Sequence, residues 1–315
     1  MKQALVFPGQ GTQFVGMGKE LYDAFAEARD VFLQTDDALN RSLSQLMFAG
    51  DESELMLTQN TQPALMTYAM AVVAVVEKQS GKKAADLFSF AAGHSLGEYG
   101  AFCAAGAFDV PTMAVLLEKR GLAMSAAVPA GCGGMAAVVG LDFEKIAGIC
   151  ERVSRETREV CVIANDNAPS QIVVSGAVGA LERVMEACAG NGAKRTIRLN
   201  VASAFHSPLM RPAADIMNGV LDATVIKDAA LPVVTDVSAL PVTESFAVRD
   251  ALKRQITGGV RWREIMAFLE TQGVRNIVEV GAGSVLKGLT KRNCPAMTAV
   301  SLNAPADIEE FLKTL

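Results

Sequence analysis

The segment Leu87-Phe88-Ser89-Phe90-Ala91-Ala92-Gly93-His94-Ser95-Leu96-Gly97-Glu98 passes from an apolar run through a small polar turn into a helix. Leu87 to Ala92 suits a short buried strand, Gly93 closes it, and Leu96 to Ala105 has helical patterning. Between them lies the pattern G-x-S-x-G, Gly93 to Gly97. A serine on a tight strand-to-helix turn is held in a strained backbone conformation. Small neighbours on either side let strand and helix approach closely enough to hold it there. The Ser95 hydroxyl then projects above the sheet edge, and the Leu96 N–H at the helix start faces any developing oxyanion. The pattern alone equally suits a structural glycine turn; its strand–turn–helix setting gives it chemical content.

Outward from this turn, strand and helix signals alternate. Ala4–Phe7 is a short strand closed by Pro8-Gly9-Gln10-Gly11, and a helical run follows from Lys19 to Leu39. Pro63 stands where a helix can start, and residues 64–78 are apolar nearly all round, as in a central helix. Pro111 opens another helix carrying Met113, Leu116, Leu117 and Arg120. This alternation indicates an α/β domain with a mainly parallel sheet, hydrolase-like in its serine turn. At Gly131-Cys132-Gly133-Gly134, a flexible junction, the pattern changes. Strand 135–139, helix 143–156, strands 160–164 and 171–175, helix 177–190 and strand 195–201 give the order βαββαβ, a ferredoxin-like arrangement. The turn signal Asn165-Asp166-Asn167-Ala168-Pro169 separates the two middle strands. The α/β rhythm then resumes: helix 208–222, strand 232–235, helices 247–256 and 261–272, strand 275–280, helix 284–292, strand 297–301 and helix 305–314. The expected organisation is a large α/β domain from residues 1–129 and 201–315, with a small inserted domain at 130–200.

Composition narrows the function. Half of the 315 residues are hydrophobic, enough for a sizeable core, and the formal net charge is −5 with no long like-charge run. That excludes general nucleic-acid binding. The most lipid-like stretch, Leu65 to Val76, stops at Glu77, well short of the roughly 20 residues a spanning helix needs. The N-terminus reads as a strand and not as a signal segment. None of the six cysteines forms a CxxC pair, and with two histidines there is no zinc-ligand spacing. Buried, reduced thiols in a cytoplasmic protein are expected.

A nucleophilic serine needs a base. His94 adjoins Ser95, and neighbours on such a turn point apart, so His94 is read as shaping the turn. His206 lies in a strand-to-helix loop, where catalytic groups gather in α/β sheets. A lone histidine is ordinarily structural; scarcity of alternatives favours His206 as base if Ser95 is a nucleophile. Asp166 has the right chain order for a third member, yet its turn setting explains it as well. A backbone carbonyl is the other way to orient the imidazole. Glycines beside Gln10 leave its backbone N–H open to a ligand, as a second oxyanion donor with Leu96 or as part of a plain glycine turn. Arg120 sits on an otherwise apolar helix. Buried, it would pair a carboxylate in two-point fashion; from these residues alone, a surface arginine beside Glu118 is the better reading.

Together these motifs are specific. FPGQG at 7–11, TQPA at 61–64, GHSLGEY at 93–99, Arg120 within EKRG, AFHSPLM at 204–210 and EVGAGSVLKGLTKR at 279–292 resemble the malonyl-CoA:acyl-carrier-protein transacylases, in order and over essentially the whole chain. The resemblance implies Ser95 as acylated nucleophile, His206 as base, Gln10 and Leu96 as oxyanion N–H donors, and Arg120 as ligand of the malonyl carboxylate. It implies a main-chain carbonyl of the Arg254-Gln255-Ile256 segment, assigned to Gln255, orienting His206. Phe205, a bulky residue before the histidine, implies selection against an α-methyl branch, although Ser203 stands where related synthase domains often carry histidine. The implied partners are malonyl-CoA and phosphopantetheinylated acyl carrier protein, with no metal, redox cofactor, nucleic acid or membrane, in a monomer. Acidic carrier proteins call for a basic docking patch, for which Lys194, Arg195, Lys291 and Arg292 are the candidates; solvated charge explains each pair as well. A trans-acting polyketide acyltransferase, an editing hydrolase or thioesterase on the same scaffold, and a non-catalytic carrier-binding module are the alternatives.

Overall fold

The computed structural model describes residues 2–201 and 203–315. Ten strands run through them: β1 (Lys2–Phe7), β2 (Phe90–Gly93), β3 (Gly133–Val139), β4 (Cys161–Ala168), β5 (Gln171–Ala177), β6 (Arg195–Arg198), β7 (Val233–Val234), β8 (Pro241–Val242), β9 (Val274–Val280) and β10 (Thr298–Leu302). Six form one sheet in the order β10-β9-β1-β2-β7-β8. It is parallel except for the edge pair β7–β8. The apolar run of β1 explains its central place. Leu5 and Phe7 pack with the helix Thr58–Ser80, while Ala4 and Val6 pack with Trp262, Ile265 and Met266 on the other face. A strand covered on both sides has no polar face to show.

The other four strands form an antiparallel sheet, β4-β5-β3-β6, the ferredoxin-like order expected from the βαββαβ reading. Helix Phe143–Thr157 buries Ile146, Ile149, Cys150 and Val153 against this sheet, a one-faced helical spacing. The Asp142 side chain caps that helix by accepting the Lys145 N–H at 3.0 Å. The opposite sheet face, with Met135 and Val173, packs on Phe205, Met210, Met217 and Ile256 of the larger unit. A cleft opens along this seam.

Several local expectations are corrected. The Asn165–Pro169 turn is confined to its end, because β4 continues through Ala168. The Asp166 N–H donates to the Val260 carbonyl at 2.9 Å, and the Val260 N–H donates to the Ala164 carbonyl at 2.8 Å. This second-unit partner satisfies backbone groups that the turn residues would otherwise have satisfied themselves. The run at 19–39 is two helices, Lys19–Ala24 and Ala26–Leu39, parted by an extended Phe25. The central helix begins at Thr58, leaving Pro63 inside it. Gly133 and Gly134 belong to β3, and β6 ends at Arg198. Five cysteines are buried, as expected, but Cys132 is exposed. No helix among the described residues is long and apolar enough to cross a membrane.

Candidate active site

Ser95 stands between β2 and the helix Leu96–Ala104 with φ 54° and ψ −113°, a conformation that non-glycine residues adopt only when their surroundings enforce it. The enforcement comes from its glycines. A Cβ on Gly93 would lie 1.9 Å from the Gly97 carbonyl carbon, and one on Gly97 would lie 2.2 Å from the Phe7 carbonyl oxygen. Strand, turn and helix therefore pack at backbone contact. The Ser95 N–H donates to Asp236 Oδ2 at 2.9 Å, which fixes the turn from below.

His206 Nε2 lies 2.7 Å from Ser95 Oγ. Its Nδ1 lies 2.9 Å from the Gly258 carbonyl and 3.2 Å from the Gln255 carbonyl. Two carbonyl acceptors assign the proton to Nδ1, so Nε2 presents its lone pair to the serine hydroxyl. Burial, and then the neighbouring Arg120 charge, push the His206 pKa down to about 3. The imidazole is thus neutral and basic at ordinary pH. Gln255 is where the sequence placed it, but Gly258 shares the orienting task and makes the shorter contact.

Arg120 is 1% exposed on the helix Val110–Ala126. The surface alternative fails, because Glu118 pairs with Arg41 at 2.9 Å. Instead, Arg120 Nη1 donates to Gln62 Oε1 at 2.7 Å, and Nη2 donates to Gln255 Oε1 at 2.9 Å and Ser95 Oγ at 3.3 Å. Its guanidinium carbon lies 5.2 Å from the centre of the Tyr99 ring. Gly121 allows this arrangement, since a Cβ there would come within 2.5 Å of the Gln59 Cα on the central helix. Among the described residues no carboxylate forms an ion pair with Arg120, and its buried Nε–H has no partner. A desolvated cation beside a serine hydroxyl is a ready receptor for an anion.

Gln10 and Leu96 both line the cleft, and neither backbone N–H makes a hydrogen bond among the described residues, which leaves both free for an oxyanion. The cleft holds about 760 Å³ and draws Ser95, Arg120 and Phe205 from one unit and Met135, Asn167 and Val173 from the other. Phe205 is buried in its wall. His94 points away from the nucleophile, its Nε2 2.8 Å from Asn167 Oδ1, as a joint between the units. Asp166 pairs with Arg263 at 2.7 Å and takes no part. Lys194 and Arg195 are exposed, at the end of β6 away from the cleft-lining Leu199. Lys291 and Arg292 are exposed in the last turn of the helix Val285–Asn293, and Arg292 Nη1 donates to Gln171 Oε1 on the inserted unit.

Sequence reasoning missed Gln62, Gly258, Tyr99, Asp236 and the amide side chain of Gln255. Gln62 stood inside the quoted TQPA motif without a role. Gln255 Nε2 donates to the Ser95 carbonyl at 2.8 Å and to Asp236 Oδ2 at 3.0 Å, so one residue serves base, nucleophile and cation together.

Known proteins resemble this chain over its whole length in sequence and in fold. Residues 4–301 match the family model of the acyl transferase domain. The malonyl CoA-acyl carrier protein transacylase of Bacillus subtilis (strain 168) is 43% identical over 314 residues, covering 100% of this chain and 97% of that protein. The acyl-carrier-protein-S-malonyltransferase of Bartonella henselae superposes with a TM-score of 0.97 at 43% identity, covering 100% of this chain and 99% of that one. A malonyl-transacylase solved in complex with its type II PKS acyl-carrier protein superposes at 0.95 with 39% identity, covering 100% of both chains.

Proposed function

The chain belongs to the acyl transferase domain family, and from that premise we propose that it moves the malonyl group of malonyl-CoA to the phosphopantetheine thiol of acyl carrier protein, supplying fatty-acid synthesis. The observation that carries this reading is Arg120 Nη2 at 3.3 Å from Ser95 Oγ, a buried cation where the free carboxylate of an acyl-serine would reach.

The chemistry follows from the placement of the groups. His206 Nε2 takes the Ser95 hydroxyl proton as Oγ attacks the thioester carbonyl. The Gln10 and Leu96 N–H groups receive the oxyanion. The tetrahedral intermediate collapses, the CoA thiolate leaves with the proton from His206, and a malonyl-serine ester remains. The carrier thiol then gives its proton to His206 and attacks the ester, and Ser95 recovers the proton as it leaves. Every proton and acyl group is accounted for by Ser95 and His206, so the reaction calls for no metal or redox cofactor. Arg120 holds the malonyl carboxylate and selects a dicarboxylic acyl group. Phe205, Met135 and Val173 crowd the cleft wall against an α-methyl branch. Lys194, Arg195, Lys291 and Arg292 are the candidate contacts for an acidic carrier, and the reading is of a cytoplasmic monomer that engages neither nucleic acid nor membrane.

Intact-protein mass spectrometry after mixing with malonyl-CoA tests this. A stable malonyl adduct that is absent in Ser95→Ala and discharged by holo acyl carrier protein is expected. No adduct, or an adduct that hydrolyses as fast without carrier as with it, overturns transfer in favour of hydrolysis. Equal discharge by fatty-acid and polyketide carriers would remove the fatty-acid assignment while leaving the transfer.

A further inference from the structure

Directly beneath the nucleophile lie two acids that the mechanism does not use. Glu98, on the helix that Ser95 starts, and Asp236, just after β7, are each 0% exposed. Each has one oxygen in service. Glu98 Oε2 accepts the Asp236 backbone N–H at 2.7 Å. Asp236 Oδ2 accepts the Ser95 N–H at 2.9 Å and Gln255 Nε2 at 3.0 Å. The remaining oxygens, Glu98 Oε1 and Asp236 Oδ1, are both buried with no partner among the described residues. The two acids are immediate neighbours, joined through the Asp236 N–H, and burial pushes the pKa of both up.

Two buried acceptors without a donor, on neighbouring acids, can both be satisfied by one hydrogen between them. We propose that Glu98 and Asp236 share a single proton across Oε1 and Oδ1, and that this singly charged pair positions the Ser95 turn and counterbalances Arg120 while the cleft holds no acyl group. Burial pushes both acids toward the protonated form, and the adjacent Glu98 carboxylate raises Asp236 further, so one of the pair holds a proton. One proton completes the network. With the proton between Oδ1 and Oε1, Asp236 Oδ2 stays free to accept from Ser95 and Gln255. The charge also closes, because one anion faces the buried Arg120, whereas two would repel in a low-dielectric pocket. The other ionisable groups acting on this pair are Arg120, on the helix Val110–Ala126, and Tyr99, on the same helix as Glu98. Asp236 and Glu98 are positioning residues: they touch the Ser95 backbone and the Gln255 side chain, not the acyl group.

The role in positioning rests on the proposed acyl transfer, so the test has one arm that needs no activity. Infrared difference spectra of the whole protein at neutral pH, in water and in deuterium oxide, should show a protonated-carboxyl band. That band should vanish in both Glu98→Gln and Asp236→Asn, because either amide supplies the missing donor and leaves the other acid ionised. A band that survives in both, or no such band in the unsubstituted protein, overturns the shared proton. The second arm is malonyl loading by mass spectrometry. Asp236→Ala leaves the Ser95 N–H without an acceptor, and Asp236→Asn restores one, so the asparagine variant should load about 10- to 100-fold faster than the alanine variant. Glu98→Gln/Asp236→Asn places two amide donors where the network takes one, and should fall below either single variant by at least about 10-fold. A double variant equal to the singles, or an asparagine variant as slow as alanine, overturns the positioning role. If the unsubstituted protein fails to load at all, the acyl-transfer reading falls, and the infrared arm still decides the proton.

Discussion

Replacing Arg120 by alanine separates two jobs of one side chain. The guanidinium donates to Gln62, Gln255 and Ser95 at 2.7, 2.9 and 3.3 Å. Losing these affects the nucleophile whatever acyl group arrives. Losing the carboxylate partner affects only an acyl group that carries a carboxylate. A hydrogen bond between charged partners contributes about 1.5–3 kcal/mol, so a two-point contact contributes about 3–6 kcal/mol. At about 1.36 kcal/mol per decade, the malonyl over acetyl preference in kcat/KM should fall by roughly 10² to 10⁴. The assay is the rate of acyl-enzyme formation from malonyl-CoA and from acetyl-CoA, read by intact mass on the same preparation. Acetyl loading is the internal control for any shift of Gln255 or Ser95. Arg120→Lys keeps the charge without the fork and should fall between the two. If both loading rates drop together and their ratio does not change, Arg120 is a structural cation and the carboxylate assignment is wrong.

Other consequences are as direct. Gly97→Ala drives a methyl into the Phe7 carbonyl at 2.2 Å, so the turn must open; a drop of several degrees in Tm with lost acylation is expected, and a stable, active variant would contradict the close packing. Gly258→Ala meets Val237 Cγ1 at 2.7 Å and Arg254 O at 2.8 Å, which moves the carbonyl that holds His206; loading should slow about tenfold or more for malonyl and acetyl alike, whereas a change in acyl preference alone would refute the role. With His206 at about 3, the acylation rate should show no fall between pH 7 and roughly pH 5, and a limb centred near the usual histidine value of about 6.5 would refute the buried neutral base. Stability runs the other way: the unfolded chain takes up the His206 proton below about 6.5 while the folded chain waits until about 3, so this group removes stability as pH falls through that window, by up to about 1.4 kcal/mol per pH unit. Denaturant midpoints measured at pH 7 and 5 in His206→Gln and in the unsubstituted protein isolate that contribution.

What the sequence reveals of this site follows the range of the physics involved. The serine turn is legible because the first part of its steric demand is local: Gly93 and Gly97 meet each other within a single strand-turn-helix, and the pattern G-x-S-x-G states that demand, whereas the contact of Gly97 with Phe7 on β1 is not written there. The parallel sheet is legible because Ala4 to Phe7, buried on both faces, has no polar alternation to offer. His206 emerges by elimination among two histidines. By contrast, Asn165 and Asp166 read as a turn because their own side chains favour one; the backbone of Val260, far along the chain, holds them in a strand. Arg120 is ambiguous for the same reason, since an apolar helix face says nothing about whether Glu118 turns to it or to Arg41.

The same distinction explains which site residues were missed. Ser95 at positive φ and Arg120 in a dry pocket are costs, each written where it is incurred, as a glycine pattern or a charge among apolar neighbours. Their compensations are remote. Asp236 supports the Ser95 N–H from 141 residues away, Gln255 bonds Arg120 from 135 away, and Gln62 bonds it from 58 away. An amide or a carboxyl is ordinary in any loop or helix end, and becomes a support only when the fold brings it to a group that would otherwise be unsatisfied. A local reading therefore finds the residues that bear the strain and overlooks those that relieve it. The relieving residues are then best sought from the structure, by asking of each buried donor and acceptor which distant group satisfies it. That question leads from the Ser95 N–H to Asp236 and from Asp236 to Glu98, and so to two buried oxygens that one proposed proton would satisfy.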